Sequence, residues 1–267
     1  MKLLFSDIDG TITNKFSHAF ESSEIYLDKL IKGGFTVVLT SSKTFEEITF
    51  IQKQLGFSEM FIFENGSGIA FPLEKYAFLD GIELSFREQQ FLIYPLAPMN
   101  LPIQNWRQIM KSFFNNAPLL SGSNVEELMT ITGLTKAALK RAQNRKFTET
   151  CLIENNNSTN LQIINNQLLN FQGVAEIGSR FLTVSHHGIS KGIAIKKVIE
   201  LLSENNRQLN TFSIGDGLND FTMFNETDNC FFLSDAVNLP DKISHCSLIN
   251  PAGPAGFAKA VELLLLQ

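Results

Sequence analysis

Apolar runs that stop abruptly at polar loops predict the strands of this chain. Leu3-Leu4-Phe5 reads as a short buried strand, and it leads into Asp7-Ile8-Asp9-Gly10-Thr11. Residues 35–40, FTVVLT, are apolar and β-branched and run straight into Ser41-Ser42-Lys43-Thr44. Residues 60–63 predict a third strand, followed by Glu64-Asn65-Gly66-Ser67-Gly68. Between these runs the spacing becomes helical. Ser22-Ser23-Glu24 opens one helix, with Ile25, Leu27, Leu30 and Ile31 as its apolar positions and Gly33-Gly34 as its stop. Phe45, Ile48, Ile51 and Leu55 share a face of the next, which Gly56 ends. Strand, helix, strand, helix, strand predicts a parallel α/β sheet with right-handed crossovers. Ligands bind such sheets at the carboxyl ends of the strands, where all three polar loops fall.

From about residue 84 to 183 the pattern loosens. Helices are predicted around 86–92 and 106–114, and 135–144, TKAALKRAQN, is a helix with a basic face. In the Asn-rich stretch 155–170 the pair Asn165-Asn166 suggests a turn between two strand pieces. Residues 178–184 read as a further strand. Residues 85–183 are therefore expected to form an α+β module inserted into a sheet domain made of 1–84 and 184–267. The α/β pattern resumes at His186-His187-Gly188-Ile189-Ser190-Lys191-Gly192 and a helix carrying Ile193, Ile195, Val198, Ile199, Leu201 and Leu202. A strand at 212–214 then leads into Gly215-Asp216-Gly217-Leu218-Asn219-Asp220. A short helix at 221–224, a strand at 230–233, a Gly/Pro loop at 251–257 and a final helix close the chain.

Composition narrows the class. With 267 residues, 44% of them hydrophobic and 18% charged, the chain can build one large domain or two smaller ones. The 24 Phe residues are expected to fill the core. A net charge of −5 gives no basic footprint for nucleic acid, so an anionic ligand needs local cations or a metal. No apolar stretch approaches the roughly 20 residues that span a bilayer. Asp7 and Asp9 interrupt the first apolar run, unlike a signal peptide. Small-molecule chemistry is expected, with neither membrane nor nucleic acid as partner. Cys151, Cys230 and Cys246 are far apart, odd in number and form no CxxC. Neither a zinc knuckle nor a disulfide frame is expected, and a reducing cytosol fits.

The loops carry the candidate chemistry. Asp7 and Asp9, at the end of a buried strand, repel each other unless a cation or a proton lies between them, and Mg²⁺ prefers such hard oxygen ligands. One carboxylate can then attack an electrophile while the other moves a proton. Asp216 completes an oxygen-ligand site if its strand neighbours the first, with Asp220 just beyond it. Lys191, near a helix start, offers a fixed cation to clustered carboxylates and to a phosphate. Ser41 and Ser42 either hydrogen-bond a phosphate at a helix start or cap that helix. Adjacent His186 and His187 point apart on a strand, so a junction role is expected of them. His18 and His245 are isolated.

Four segments in this order resemble the haloacid dehalogenase superfamily of phosphohydrolases. They are DIDGT with Asp7 and Asp9, Ser41 after the second strand, Lys191-Gly192, and GDGLND with Asp216, Asn219 and Asp220. The insert before Lys191 stands where the Cof-like branch carries its type-2 (C2B) cap. Within that branch, Ser41-Ser42-Lys43-Thr44 with Glu47, Glu64-Asn65-Gly66, Arg180-Phe181 and Gly253-Pro254-Ala255-Gly256-Phe257 are similar to the mannosyl-3-phosphoglycerate phosphatases. Phe257 stands where that group usually has Trp, and the similarity is poor through 84–177.

The resemblance implies a Rossmann-like parallel-sheet core with an inserted α+β cap. It implies hydrolysis of a phosphorylated sugar-glycerate through an aspartyl-phosphate, with Mg²⁺ as cofactor. Asp7 is then the nucleophile and Asp9 the acid and base. Asp7, the backbone carbonyl of Asp9, and Asp216 hold the metal, and Asp220 orients a metal-bound water or Lys191. Ser41 and Lys191 meet the phosphoryl oxygens. Ser42, Lys43, Thr44, Asn65, Gly66, Arg180 and Asn219 are implied contacts to the substrate, and Glu47 a structural residue. The competing expectations are a broad sugar-phosphate phosphatase, a glucosyl-3-phosphoglycerate or sucrose-phosphate phosphatase, and a non-catalytic binder of Mg²⁺ or a phosphometabolite.

Overall fold

The computed structural model describes residues 1–15, 17, 19–20, 23–114, 118–153, 158–177, 181–203, 208–236 and 239–266. Ser22, His18 and Arg180 fall outside them. The chain begins with the predicted alternation: β1 (Lys2–Ser6), α1 (Ser23–Lys32), β2 (Phe35–Thr40), α2 (Phe45–Gln54) and β3 (Phe61–Phe63). Leu27 and Leu30 of α1 turn into the core, whereas Ile25 faces solvent.

The chain then reverses. β4 (Gly68–Pro72) runs antiparallel to β3, and after the one-turn α3 (Leu73–Tyr76) come β5 (Phe86–Glu88) and β6 (Phe91–Pro95). These strands correct the helix expected at 86–92. Gln89 takes a left-handed φ of 51°, which lets the chain fold back as a hairpin. Phe91, Leu92 and Ile93 are then buried as one strand paired with β4. The large sheet thus continues through Pro95, past residue 85 where the sequence reading begins its insert.

A smaller unit follows: α4 (Ile103–Phe113), α5 (Val125–Thr132), α6 (Lys136–Gln143), β7 (Glu149–Leu152), α7 (Ser158–Leu168), β8 (Gly173–Ile177) and β9 (Phe181–His186). Its sheet is antiparallel in the order β7-β9-β8. α7 replaces the expected turn at Asn165-Asn166. Leu161, Ile164 and Leu168 recur at helical spacing and pack on Trp106, Met110, Leu182 and Val184. Asn165 does not turn the chain. Its amide clamps the β8 backbone, donating to Ala175 O at 3.2 Å and accepting from Ala175 N at 2.7 Å.

The large sheet is completed by α8 (Lys191–Ser203), β10 (Asn210–Gly215), α9 (Phe221–Phe224), β11 (Asn229–Leu233), β12 (Ser247–Ile249) and α10 (Pro254–Leu265). Its nine strands run β12-β11-β10-β1-β2-β3-β4-β6-β5. Pairing is parallel from β12 to β3 and antiparallel from β3 to β5. The two faces carry separate apolar clusters. Much of the Phe excess is spent there: Phe45, Phe61 and Phe91 form mutual ring contacts 5.4–5.5 Å apart.

One expectation about cysteine is overturned. Cys230 and Cys246 are joined as a disulfide, and Cys151 is free and buried. The two residues are far apart in sequence, but β11 and β12 are parallel neighbours, and that adjacency brings their thiols together.

Candidate active site

β1 lies between β10 and β2, so the loops after these three strands meet at one rim. Asp7 N donates to Ile214 O at 3.0 Å, which ties the first loop to the strand leading into Asp216. Carboxylate oxygens of Asp7, Asp216 and Asp220 lie within 4.8 Å of one another. Lys191, 1% exposed, stands at the start of α8 and donates to Asp7 Oδ1 at 2.6 Å and Asp220 Oδ1 at 2.7 Å. The other oxygen of Asp220 accepts from the backbone N–H groups of Asp216 and Gly217 at 3.0 and 2.9 Å. Asp220 therefore holds the lysine and the loop together. Thr11 donates to Asp216 Oδ1 at 3.2 Å. Gly10 is required where it stands: its φ is +86°, and a Cβ there would lie 2.4 Å from Asp216 Oδ2.

The charges do not balance. Three carboxylates share one buried ammonium, an excess of two negative charges when all are ionised, with the exposed Lys15 acting on Asp216 from outside. Burial pushes the Asp7 carboxyl well above its ordinary range; Lys191 opposes this, and Asp220 and Asp216 add to it. Burial and the Asp220 charge push Asp216 up to about 6 against Lys15, Lys191 and the Thr11 hydrogen bond. Burial works to lower Lys191, but Asp220 and Asp7 outweigh it and hold the amine above its ordinary value. A divalent cation fits this site on two grounds. The donors are hard oxygens, and the missing charge is the one it carries. The second group of metal-ligating types among the described residues, Cys230, His245 and Cys246, has its two sulfurs bonded to each other.

The remaining sequence candidates divide by geometry. The Asp9 carboxylate turns to Lys43, 2.7 Å from its Nζ. Burial works to lower Lys43, but Asp9 and Glu47 raise it to about 12. Ser41 is buried at the end of β2, and its Oγ accepts from Lys43 N at 3.3 Å. Thr44 is the N-cap of α2, forming a reciprocal capping box with Glu47. Its hydroxyl also donates to Arg141 O at 2.9 Å, so both its hydrogen-bonding directions are taken. Asn65 N donates to Ser41 O at 3.0 Å, while Asn65 Oδ1 is buried without a partner among the described residues. Gly66 has a φ of +96°, and a Cβ there would sit 2.1 Å from Ser190 O, so the loop after β3 presses on the start of α8. Asn219 is half-buried in the short 3-10 turn Leu218–Asp220. Arg180 lies outside the described residues.

Contacts from the smaller unit were not legible in the sequence. Arg145 Nη2 donates to Ser42 O at 2.7 Å, and its Nε donates to Thr148 Oγ1 at 2.8 Å. Glu64, fully buried, accepts from Lys146 N, Phe147 N, Thr148 N and Thr148 Oγ1 at 2.7–3.0 Å. The Arg141 guanidinium stacks 3.7 Å over Phe50. The helix with a basic face thus lays one of its cations, Arg141, on α2 of the larger unit. Of the groups given no role from the sequence, Thr11 and Glu64 stood inside quoted motifs, DIDGT and Glu64-Asn65-Gly66; Arg141, Arg145 and Thr148 stood in none.

Fold and site together are those of a phosphoric monoester hydrolase: a buried strand-end carboxylate beside a fixed lysine, with further carboxylates for a cation. Residues 4–259 match the haloacid dehalogenase-like hydrolases, and the chain belongs to that family. It is 28% identical over 252 residues to a glucosyl-3-phosphoglycerate/mannosyl-3-phosphoglycerate phosphatase of Persephonella marina, covering 89% of each chain. It is 27% identical to the mannosyl-3-phosphoglycerate phosphatase of Pyrococcus furiosus, over 88% of this chain and 92% of that one. A haloacid dehalogenase-like hydrolase from B. subtilis shares its fold with a TM-score of 0.67 at 17% identity, over 99% of this chain and 100% of that one.

Proposed function

We propose that the protein hydrolyses the phosphate ester of a glycosyl-3-phosphoglycerate, the mannosyl ester foremost, to the glycosylglycerate and phosphate. The observation that carries the chemistry is the placement of Asp7 against Lys191 and within reach of Asp216. The substrate class follows the names of the P. marina and P. furiosus relatives.

An Asp7 oxygen attacks phosphorus in line, forming an aspartyl-phosphate as the ester oxygen leaves. Asp9 gives that oxygen its proton and then takes one from the water that attacks the aspartyl-phosphate, which releases phosphate and restores Asp7. Lys191 and the Ser41 loop stabilise the phosphoryl oxygens, and the unpartnered Asn65 Oδ1 accepts from a substrate hydroxyl. Asp7, Asp216 and the backbone carbonyl of Asp9 would hold Mg²⁺, while Asp220 stays with Lys191. When bound, the ion supplies charge compensation to the transferring phosphoryl group. The smaller unit, from about residue 96 to 186, is the cap. A phosphorylated sugar does not cross a bilayer unaided, and on that ground we place the enzyme in the cytoplasm.

The test is phosphate release with Mg²⁺ from mannosyl- and glucosyl-3-phosphoglycerate, sucrose phosphate and simple hexose phosphates. The glycosylphosphoglycerates should give the highest kcat/KM, and Asp7→Asn should abolish turnover while melting like wild type. Preference for a plain hexose phosphate rejects the substrate, and activity in Asp7→Asn rejects the nucleophile.

A further inference from the structure

One face of the smaller sheet is unused by its own core. Cys151, Leu182, Ala175 and Val184 pack beneath α4 and α7. Side chains alternate along a strand, so the intervening residues point the other way. Register then sets Thr150 opposite Thr183, and Thr183 opposite Glu176, as one polar row across β7, β9 and β8. The two threonine hydroxyls are 3.1 Å apart and bonded to each other.

The direction this row faces follows from the seating of the sheet: Thr148, one residue before β7 and on the same face as Thr150, donates to Glu64, which follows β3 at the rim that carries the site. Burial pushes the Glu176 carboxyl above the ordinary range, and the charges of Lys191 and Asp220, across on the larger unit, act on it in opposite senses. Its side chain is nonetheless open to water. Glu176, on that same face and open to water, therefore looks toward the rim that carries Lys191.

From this juxtaposition we propose that Glu176, with the Thr183 hydroxyl beside it, is the specificity element that binds the sugar ring of the substrate. The inference rests on the phosphatase reading and deepens it. A carboxylate only accepts hydrogen bonds, and its two oxygens suit a pair of neighbouring hydroxyls. It repels a second phosphate or a carboxylate placed against it. The uncharged, hydroxyl-rich part of the ester therefore lies under β8, and the glycerate carboxylate is turned away from it, toward the Lys43 side of the rim.

The experiment compares two esters with Mg²⁺ in wild type, Glu176→Gln, Glu176→Ala and Thr183→Val. One is the glycosyl-3-phosphoglycerate; the other is 4-nitrophenyl phosphate, which has no sugar. Losing a hydrogen bond to a charged acceptor should lower the glycosyl-to-aryl ratio of kcat/KM by about 10- to 100-fold, expressed in KM, in both Glu176 variants. Thr183→Val should lower it less. Melting curves check the fold, which an edge-strand side chain open to water should leave intact. A ratio unchanged in both Glu176 variants overturns the proposal, whether both activities fall together or neither falls. If wild type prefers another hydroxyl-rich phosphoester, the substrate reading fails, and the same ratio measured with that ester still judges Glu176.

Discussion

Glu64→Gln tests the contact that seats the smaller unit on the larger one. The carboxylate receives three backbone N–H groups and one hydroxyl, all from residues 146–148, at 2.7–3.0 Å. Glutamine keeps the shape but offers only one acceptor oxygen, and its NH₂ would face donors. Oriented to keep the three bonds made by Phe147 and Thr148, it leaves Lys146 N unpaired. An unpaired buried donor costs about 1–3 kcal/mol, and each remaining bond loses its charge assistance, worth about 1 kcal/mol. Relief from burying a full charge offsets part of this. A net loss of about 2–4 kcal/mol follows. Amide exchange followed by mass spectrometry should show residues 146–148 opening about 30- to 1,000-fold more often, since ~1.4 kcal/mol is a factor of ten. If the contact opens only with the whole fold, the melting temperature should also fall, by about 2–4 °C per kcal/mol. Unchanged exchange at these three amides, with unchanged melting, would refute the seating role.

Other outcomes follow from the same geometry. EDTA should silence the enzyme and added Mg²⁺ restore it; full turnover in chelator would remove the cation from the scheme. Gly66→Ala should cost at least about 2 kcal/mol in urea titrations and impair turnover, because the new methyl collides with Ser190 O at the start of the helix that carries Lys191. Wild-type values for both would refute that packing argument. Burial and the Glu149 charge push the Cys151 thiol up to about 12, so iodoacetamide should not modify it in the folded protein. Denaturation without reductant should expose one reactive cysteine and denaturation with reductant three, as counted by mass. Three without reductant would deny the Cys230–Cys246 bond, and the same count on acid-quenched cells reads the redox state of its compartment.

What was legible in the sequence follows the range of the forces involved. Asp7, Ser41, Asn65 and Asp216 each end an apolar run, and the parallel order of those runs sends all four to one rim. That inference needs only strand polarity. Asp9 was legible as a carboxylate but not as the partner of Lys43, because a side chain's direction in a glycine-containing loop leaves no periodic trace. The helix expected at 86–92 failed on Gln89, whose left-handed φ no glycine announced. At 158–168 the turn-forming character of Asn165-Asn166 masked the helical spacing of Leu161, Ile164 and Leu168. Glu64 and the 146–148 loop meet across more than eighty residues of chain. Such a contact is decided by the packing of two units and by no local pattern. Cys230 and Cys246 could be paired only once β11 and β12 were known to be neighbours.

The two crossings between the sheets are unequal. The outgoing one begins inside β6, is fastened where Leu96 N and Ala97 N both donate to Ser67 O, and carries Pro95, Pro98 and Pro102. Prolines and hydrogen bonds leave that strap little torsional freedom. The returning one passes through Gly188, exposed, with φ +85° and open space around its α-carbon. Backbone rotation between the two sheets therefore meets its least steric resistance at Gly188 and its greatest along the proline strap.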